Sequence, residues 1–556
     1  MPAYIRLLAY FSNFILLAAF LGIGVGSLLA SARARLFAWF PLVLFVLVAV
    51  VYFFRLEVSV QSSGDIFFSS GTPQKVVTVE STYLLPVLFV IVAALFMALA
   101  QRMAAEMSTL PPLAAYTTNI LGSLAGVTAF AVMSWREAPP DYWFALVVVA
   151  AWPLVWQIET RRARRLVQIG AIALLAASTL LVERLARDTI WSPYYKITLQ
   201  KNDSETIIEV NNIFHQSMAP VDQKEYFYQW PYMTFGNTFG NVLILGAGSG
   251  TDVAAALKHG VHHVDAVEID PVIIRLGSRW HPDRPYYDPR VTVINDDARH
   301  FLRTSKKKYD LVVFALIDSL TLQSSFSGVR LESYMFTTQS FEEVRDHLKD
   351  NGLLVIYNYF RERWLVDRLA NTAAAAFHAE PYVHVHEERA YLGVLMAGPR
   401  LKQLTEAPFI PARVLAFGQS HAESPAHLLA RDESIEPATD DWPFLYMRDR
   451  HIPSHYVGVI VMILAFSAVA VFGALRVTAA GASGAPRVSR AVAVEFFFLG
   501  AGFMLLETKA IIQFALLWGS TWVVASLAIA SVLCMALIAN FIVERVEIRR
   551  PLLVGA

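Results

Sequence analysis

The fold class this sequence predicts is a doubly wound α/β sheet domain inserted between two α-helical blocks of membrane-spanning character. Three observations carry that reading. Nine apolar runs near bilayer length fall into a group of six and a group of three, separated by a long polar interval. Inside the interval, strand-length apolar runs alternate with helical stretches, the pattern of right-handed parallel crossovers. The first three of those strands end in a glycine turn or in acids. They read Val-Leu-Ile-Leu-Gly-Ala-Gly-Ser-Gly-Thr-Asp from Val242, Val-Asp-Ala-Val-Glu-Ile-Asp-Pro from Val264, and Val-Thr-Val-Ile-Asn-Asp-Asp from Val291.

The apolar runs lie at 8–29, 36–54, 83–100, 113–135, 142–158 and 166–182, then at 456–475, 491–517 and 521–543. The count is good to about one span, because the fifth and sixth runs are short. The soluble interval opens with two alternating runs, 195–200 and 206–210, around Lys-Asn-Asp-Ser, which read as a β-hairpin. Strands are expected at 242–245, 264–269, 291–294, 311–315, 353–357, 382–386 and 391–396, with helices at 251–259, 341–348 and 361–377 among them. The last two strands form an antiparallel hairpin at the sheet edge. The domains are therefore set at 1–189 (membrane block), 190–238 (hairpin and gate region), 239–400 (sheet domain), 401–455 (connector) and 456–556 (second membrane block).

Composition narrows the function. The chain has 556 residues, is 56% hydrophobic and 17% charged, and carries zero formal net charge. That balance suits a multi-pass inner-membrane protein and gives no reason to expect nucleic acid. One cysteine, Cys534, excludes disulfides and thiolate metal sites, and no cleavable signal peptide is expected. The arginines at 33, 35, 161, 162, 164, 165, 487, 490, 545, 549 and 550 all fall on one side of a nine-span count. The charge rule makes that side cytoplasmic and puts the sheet domain opposite. Adenosyl compounds are made in the cytoplasm, so charge and motif disagree. A miscount of one short span would remove the conflict and is the preferred explanation, with the side of the domain left open.

In an open parallel sheet, ligands lie beyond the carboxyl ends of the strands. Here those ends carry Gly246, Gly248 and Gly250, then Glu268, then Asp296 and Asp297. Glycines let a ligand approach the backbone, and carboxylates accept from ribose hydroxyls and the adenine amine. The turn reads Gly-x-Gly-x-Gly, and Thr251 stands where a dinucleotide fingerprint needs its third glycine. The spacing favours an S-adenosyl ligand over a dinucleotide, with Glu268 on the ribose and Asp296 and Asp297 on adenine.

The region from Trp191 to about Phe360 resembles the polyamine aminopropyltransferases, the spermidine synthase family. The matching pieces are Ser192-Pro193-Tyr194, Gln216, Glu225-Tyr226-Phe227-Tyr228, the glycine turn, Glu268-Ile269-Asp270, Asp288-Pro289-Arg290-Val291 and Tyr309-Asp310. The flanks Leu121-Gly122-Ser123-Leu124-Ala125-Gly126 and Phe503-Met504-Leu505-Leu506-Glu507-Thr508-Lys509 resemble bacterial membrane proteins fused to such domains. The resemblance implies a Rossmann-like, S-adenosylmethionine-type fold. It also implies aminopropyl transfer from decarboxylated S-adenosylmethionine to an amine or polyamine acceptor, with no metal. It assigns Asp318 and Tyr228 as catalytic residues. It places Gly246, Gly248, Gly250, Asp252, Glu268, Asp296, Asp297 and Gln216 around the donor, Gln216 also helping to orient the acceptor.

Three positions depart from the family pattern. Ser249 replaces the aspartate that holds the donor's amino end, although Asp252 follows three residues on. Ala315 replaces the first aspartate of Asp-Ser-Ser-Asp, which helps deprotonate the attacking amine; Asp318 matches the second. Trp230 replaces the glutamate after the Tyr-Gln pair. An amine must lose a proton before it can attack beside a sulfonium, so the missing base weighs on the chemistry. Methyl transfer from S-adenosylmethionine, and a non-catalytic transporter or sensor that reads adenosyl or polyamine ligands, stand as alternatives. Homo-oligomerisation stays open.

Several further features carry expectations. Residues 281–287 are a lid or a rigid loop. Asp318 with Arg330, Glu332 and Tyr334 lines an acceptor pocket. His262-His263 is a solvated turn. Asp440-Asp441-Trp442-Pro443 anchors the chain at the bilayer surface in preference to covering the site. Asn119, Glu507 and Lys509 find partners on other spans.

Overall fold

The structure, a computed structural model, describes residues 3–5, 12–53, 81–158, 164–317, 334–360, 362–387, 391–404, 427–452, 454–481, 490–519 and 521–545. Six helices precede the sheet domain: α1 (Ser12–Leu28), α2 (Phe40–Phe53), α3 (Ser81–Met107), α4 (Pro112–Trp135), α5 (Pro140–Trp156) and α6 (Arg164–Ala186). Seven apolar helices among the described residues are long enough to cross a membrane, and two shorter ones, Phe14–Leu28 and Pro140–Trp156, accompany them.

Their ends show how they alternate. Far from the sheet domain, the Gln101 side chain accepts from Leu36 N at 2.7 Å and donates to Leu29 O and Ala34 O at 3.0 and 2.7 Å. This closes the α1–α2 connection, since one amide satisfies three backbone groups that the break in helix leaves open. Gln168 does the same for the end of α5, donating to Trp156 O at 2.8 Å. At the other end, Asn212 donates to Ala3 O at 3.2 Å, and Glu137 in the α4–α5 turn pairs with Arg275. Arg33, Arg35, Arg165 and Arg545 sit at the ends remote from the sheet domain. Seven of the nine apolar runs are helices long enough to cross a membrane, and the shorter Phe14–Leu28 and Pro140–Trp156 leave the span count, and with it the side of the sheet domain, where the sequence left it.

The expected hairpin is the middle of a four-stranded antiparallel ribbon: β1 (Ile190–Trp191), β2 (Lys196–Lys201), β3 (Thr206–Val210) and β4 (Ile213–Met218). β1 and β4 escaped the sequence reading because one is two residues long and the other, Ile-Phe-His-Gln-Ser-Met, lacks clean alternation. After α7 (Trp230–Phe235) comes an eight-stranded sheet. Its strands are β5 (Asn241–Leu245), β6 (His263–Glu268), β7 (Val291–Asn295), β8 (Tyr309–Phe314), β9 (Leu348–Tyr359), β10 (Tyr382–His386), β11 (Leu392–Ala397) and β12 (His427–Leu428). The spatial order is β12-β10-β11-β9-β8-β5-β6-β7, parallel from β9 to β7 and antiparallel beyond β9. The expected edge hairpin is β10–β11, but β12 covers its outer side. The helices are α8 (Thr251–Lys258), α9 (Pro271–Trp280), α10 (Ala298–Thr304), α11 (Thr338–Asp346) and α12 (Arg363–Phe377). Leu348, expected to end a helix, opens β9 instead.

Both faces of this sheet are buried, as the unbroken apolar runs require. Leu243, Leu245, Val312, Phe314, Leu354 and Ile356 pack on one side, and Val242, Ile244, Leu311, Val313, Leu353 and Val355 on the other. The order turns back at β5 and β8, which makes their carboxyl ends the switch point where a crevice forms.

The connector packs on the sheet domain. Asp440 accepts from Thr337 Oγ1 at 2.7 Å and from Arg299 Nη1 at 2.6 Å, which ties 427–452 to α10 and α11. Trp442 lies under the Arg368 and Arg450 guanidiniums, 4.8 and 5.3 Å from its ring centre. Three helices follow: α13 (Ser454–Gly481), α14 (Arg490–Trp518) and α15 (Trp522–Arg545).

Candidate nucleoside site

Glu268 organises the crevice. It ends β6 at 8% exposure, with Oε2 accepting from Gly248 N and Oε1 from Asp270 N, both at 2.9 Å. A carboxylate offers about four acceptor positions, so two remain for hydroxyl donors. Burial pushes its carboxyl up to about 7, against the pull of the two backbone N–H groups.

Gly248 shows why the turn is bare. Its φ is 55°, and a Cβ there would stand 2.6 Å from Gln216 Oε1. Gln216 lies on β4, so ribbon and turn are in direct contact. Its Oε1 accepts from Ser249 N at 2.9 Å and Ser249 Oγ at 2.8 Å, leaving the Nε2 amide to address a ligand. Gly246 and Gly250 flank this point, Gly250 beginning α8 as its N-cap. The Tyr286 hydroxyl donates to Gly248 O at 2.6 Å, so the 281–287 segment clamps the turn from outside.

Asp252 is buried in the first turn of α8, where desolvation pushes its carboxyl up to about 7. Lys224 lies nearby with its ammonium on Ser217 Oγ at 2.8 Å, and it tempers that rise. Tyr228, on the 3₁₀ turn before α7, is buried beside Phe227 and Tyr357, with ring centres 4.5 and 5.6 Å away. Burial, then Asp252, raises its hydroxyl well above the usual phenol range.

Beyond β7, Asp296 accepts from Asp297 N at 2.8 Å and meets His300 Nδ1 at 2.8 Å. Asp297 caps α10, accepting from His300 N at 2.9 Å, and burial raises its carboxyl. Asp270 caps α9 the same way, with Pro271 at the first helical position. Gly246, Gly248, Gly250, Glu268, Asp296 and Asp297 thus gather at neighbouring strand ends, with Gln216, Asp252 and Tyr228 on the ribbon side.

Asp318, Arg330 and Glu332 lie outside the described residues, and Tyr334 is buried next to Arg299, which donates to its carbonyl at 2.8 Å. Ala315 is followed by Leu316 at φ 50°, a strained left-handed turn for a branched residue. His262 is exposed in a bend, as expected, and His263, partly exposed, opens β6 and meets Asp265 at 3.1 Å. Sequence reasoning placed Tyr286 only within the 281–287 segment and missed Lys224 and Tyr357, whose buried hydroxyl finds no partner among the described residues. Aromatic and lysine side chains carry no spacing signal, so only packing reveals them.

Residues 223–385 match the spermine/spermidine synthase domain family. Polyamine aminopropyltransferase 2 of Aquifex aeolicus is 26% identical over 202 residues, 34% of this chain and 39% of that protein. Polyamine aminopropyltransferase 1 of Streptomyces coelicolor is 35% identical over 117 residues, 20% and 22% respectively. Polyamine aminopropyltransferase 2 of Ralstonia nicotianae is 28% identical over 225 residues, 38% and 41%. The chain spans about two fifths or less of these relatives' lengths. A probable spermidine synthase from Corynebacterium glutamicum superposes with a TM-score of 0.33 at 17% identity, covering 48% of this chain and 96% of its own. A spermidine synthase in complex with the transition-state analogue AdoDATO gives 0.31 at 14%, covering 49% and 85%. Residues 223–385 thus match the spermine/spermidine synthase domain family, and this region is set between two blocks of long apolar helices.

Proposed function

We propose that this is a membrane-inserted group transferase whose crevice binds an adenosyl sulfonium donor, decarboxylated S-adenosylmethionine by family default, and passes its aminopropyl group to an amine. The observation that carries the reading is Glu268. It is a buried carboxylate pinned by two backbone amides at the switch point, with acceptor positions left over for a ribose. Asp296 and Asp297 take the adenine, and the turn from Gly246 to Gly250 abuts the sulfonium. Gln216 and Asp252 lie on the side of the donor's amino end, where Asp252 supplies the charge that Ser249 lacks.

In the transfer, the amine lone pair forms a bond to the methylene beside sulfur. The carbon–sulfur bond breaks, its electrons neutralise the sulfonium, and the nitrogen sheds a proton. With Ala315 in place of the family base, the proton goes to the Asp318 carboxylate, directly or through water, while the neutral Tyr228 hydroxyl orients the amine; positioning supplies the rest of the barrier reduction. The acceptor is an amine or polyamine.

A second reading draws on the arginines. With Arg33, Arg35, Arg165 and Arg545 at the bundle ends remote from the sheet domain, the charge rule favours a domain outside the cytoplasm, away from where adenosyl donors are made. On that side it serves as a reader of adenosyl or polyamine ligands for the helices. Calorimetric titration of the full chain with decarboxylated S-adenosylmethionine, followed by product analysis with putrescine, separates the readings. Methylthioadenosine as product supports transfer, S-adenosylhomocysteine from S-adenosylmethionine supports methylation, and binding without turnover supports the reader. No binding of either donor overturns the adenosyl reading.

A further inference from the structure

The crevice has one side that the 223–385 domain does not build. The helices α9 and α10 start directly after the acidic ends of β6 and β7, and both carry contacts from the apolar blocks. Glu137, in the α4–α5 turn, pairs with Arg275 on α9. Arg303 on α10 donates to Leu516 O in the last turn of α14. Gly519, between α14 and α15, has φ 83°, and a Cβ there would stand 2.8 Å from Asp297 Cβ and 3.1 Å from His300 Cβ. The backbone N–H of Trp522, which opens α15, is near enough to the Tyr194 hydroxyl to oppose the rise of its pKa. Tyr194 in turn faces Asp270, Asp297 and Glu268, and burial together with those three charges raises its hydroxyl. Tyr194 precedes the matched domain, and Gly519 and Trp522 lie far beyond it.

We infer that the α14–α15 turn forms the remaining wall of the adenosine pocket, with Gly519 packed against Asp297 and holding it in place. The inference rests on the nucleoside reading of the crevice. A helical hairpin seated there excludes water from the Asp297 carboxyl, which strengthens any hydrogen bond it makes to a ligand. Because binding and docking are linked, the coupling acts in both directions. A nucleoside tightens the hairpin on α10, and displacing the hairpin weakens the nucleoside.

The test uses the full chain in detergent or nanodiscs, with 5′-methylthioadenosine as the probe, because it has the adenosine but not the charged tail. Gly519→Leu adds a side chain where none fits and is expected to weaken probe binding about tenfold, within the usual range of coupling. Gly500→Leu lies in the middle of α14, where an added Cβ meets nothing within 4 Å, and is expected to leave binding unchanged. Independently of any variant, saturating probe is expected to slow hydrogen exchange at the Trp522 and Val524 amides of the wild type several-fold. An unchanged affinity in a folded Gly519→Leu protein overturns the inference. So does unaltered exchange at Trp522 and Val524 while residues 242–250 become protected. A wild type that binds no probe fails at the earlier step and removes the nucleoside reading itself.

Discussion

Two carboxyls in this crevice titrate far from where a solvated acid would, and the sign of each effect follows from burial. Glu268 moves from 4.5 in the unfolded chain to about 7, and Asp252 from 3.8 to about 7. Between those values the folded protein holds protons that the unfolded chain has released. Their stabilising contribution is therefore complete below the unfolded values and is lost as pH rises through about 7. Melting temperature without ligand is expected to fall between pH 5 and 7, and to fall less in Glu268→Gln. Ligand affinity runs the other way, since the charged carboxylate is the better acceptor, and should climb across the same interval. Glu268→Gln also turns an amide N–H toward the N–H of Gly248 or Asp270, a clash of donors costing about 1–3 kcal/mol. Calorimetry on this variant should show adenosyl binding weakened at least about tenfold, consistent with that cost. At Ala315 the direction is a gain. Ala315→Asp restores a base at the β8 end, and aminopropyl transfer to putrescine is expected to rise by about 10²-fold. An unchanged rate would mean that proton removal does not limit this protein.

At the scale of elements, the crevice depends on helices that begin where the acids stand. Asp270 and Asp297 are caps as well as site residues, so Asp297→Ala should cost about 1 kcal/mol of stability besides any loss of ligand. Thermal denaturation of Asp297→Asn, which keeps a capping oxygen, separates the two effects. The network that fastens the connector to α10 and α11 is a second lever. Arg299, almost fully buried, donates to Asp440, Glu343, Thr337 and the Tyr334 carbonyl. Arg299→Ala strands partners that are about one-fifth exposed, so the loss is expected at the low end of a buried pair, about 3 kcal/mol. Chemical denaturation that showed less than 1 kcal/mol would mean that the connector contributes little to the sheet domain.

For the whole molecule, the open question is which compartment the crevice faces. The helices alternate, and Arg33, Arg35, Arg102, Arg165, Arg476 and Arg545 at the ends away from the sheet domain outnumber Arg136, Arg184 and Arg187 at the near ends. A reporter fused after Arg187 is therefore expected to report the extracytoplasmic side. A cytoplasmic result would instead give the transferase its donor directly and set aside the reader. Glu507 and Lys509, placed in α14, meet no described partner in the contacts above; the expectation of a partner on another span is not realised among the described ion pairs.

Much of this architecture could be read from the chain because it is local. Val242 to Leu245 must be a buried strand, Asp-Pro at 270–271 must start a helix, and the apolar runs must be helices, since each backbone group needs a partner and neighbours in sequence supply it. The glycine turn and the acids at the strand ends were legible for the same reason, as short motifs with one geometry. Placement was not. The role of Gln216 as a brace for Ser249, the clamp by Tyr286, the docking of Asp440 on Arg299 and the approach of Gly519 to Asp297 join residues 33 to 222 positions apart. Sequence spacing carries no information about such pairs. The chain by itself determined the elements and the chemistry at their tips. Tertiary packing alone decided which carboxylates lose their water, and that a turn between two apolar helices lies against the proposed adenine contact.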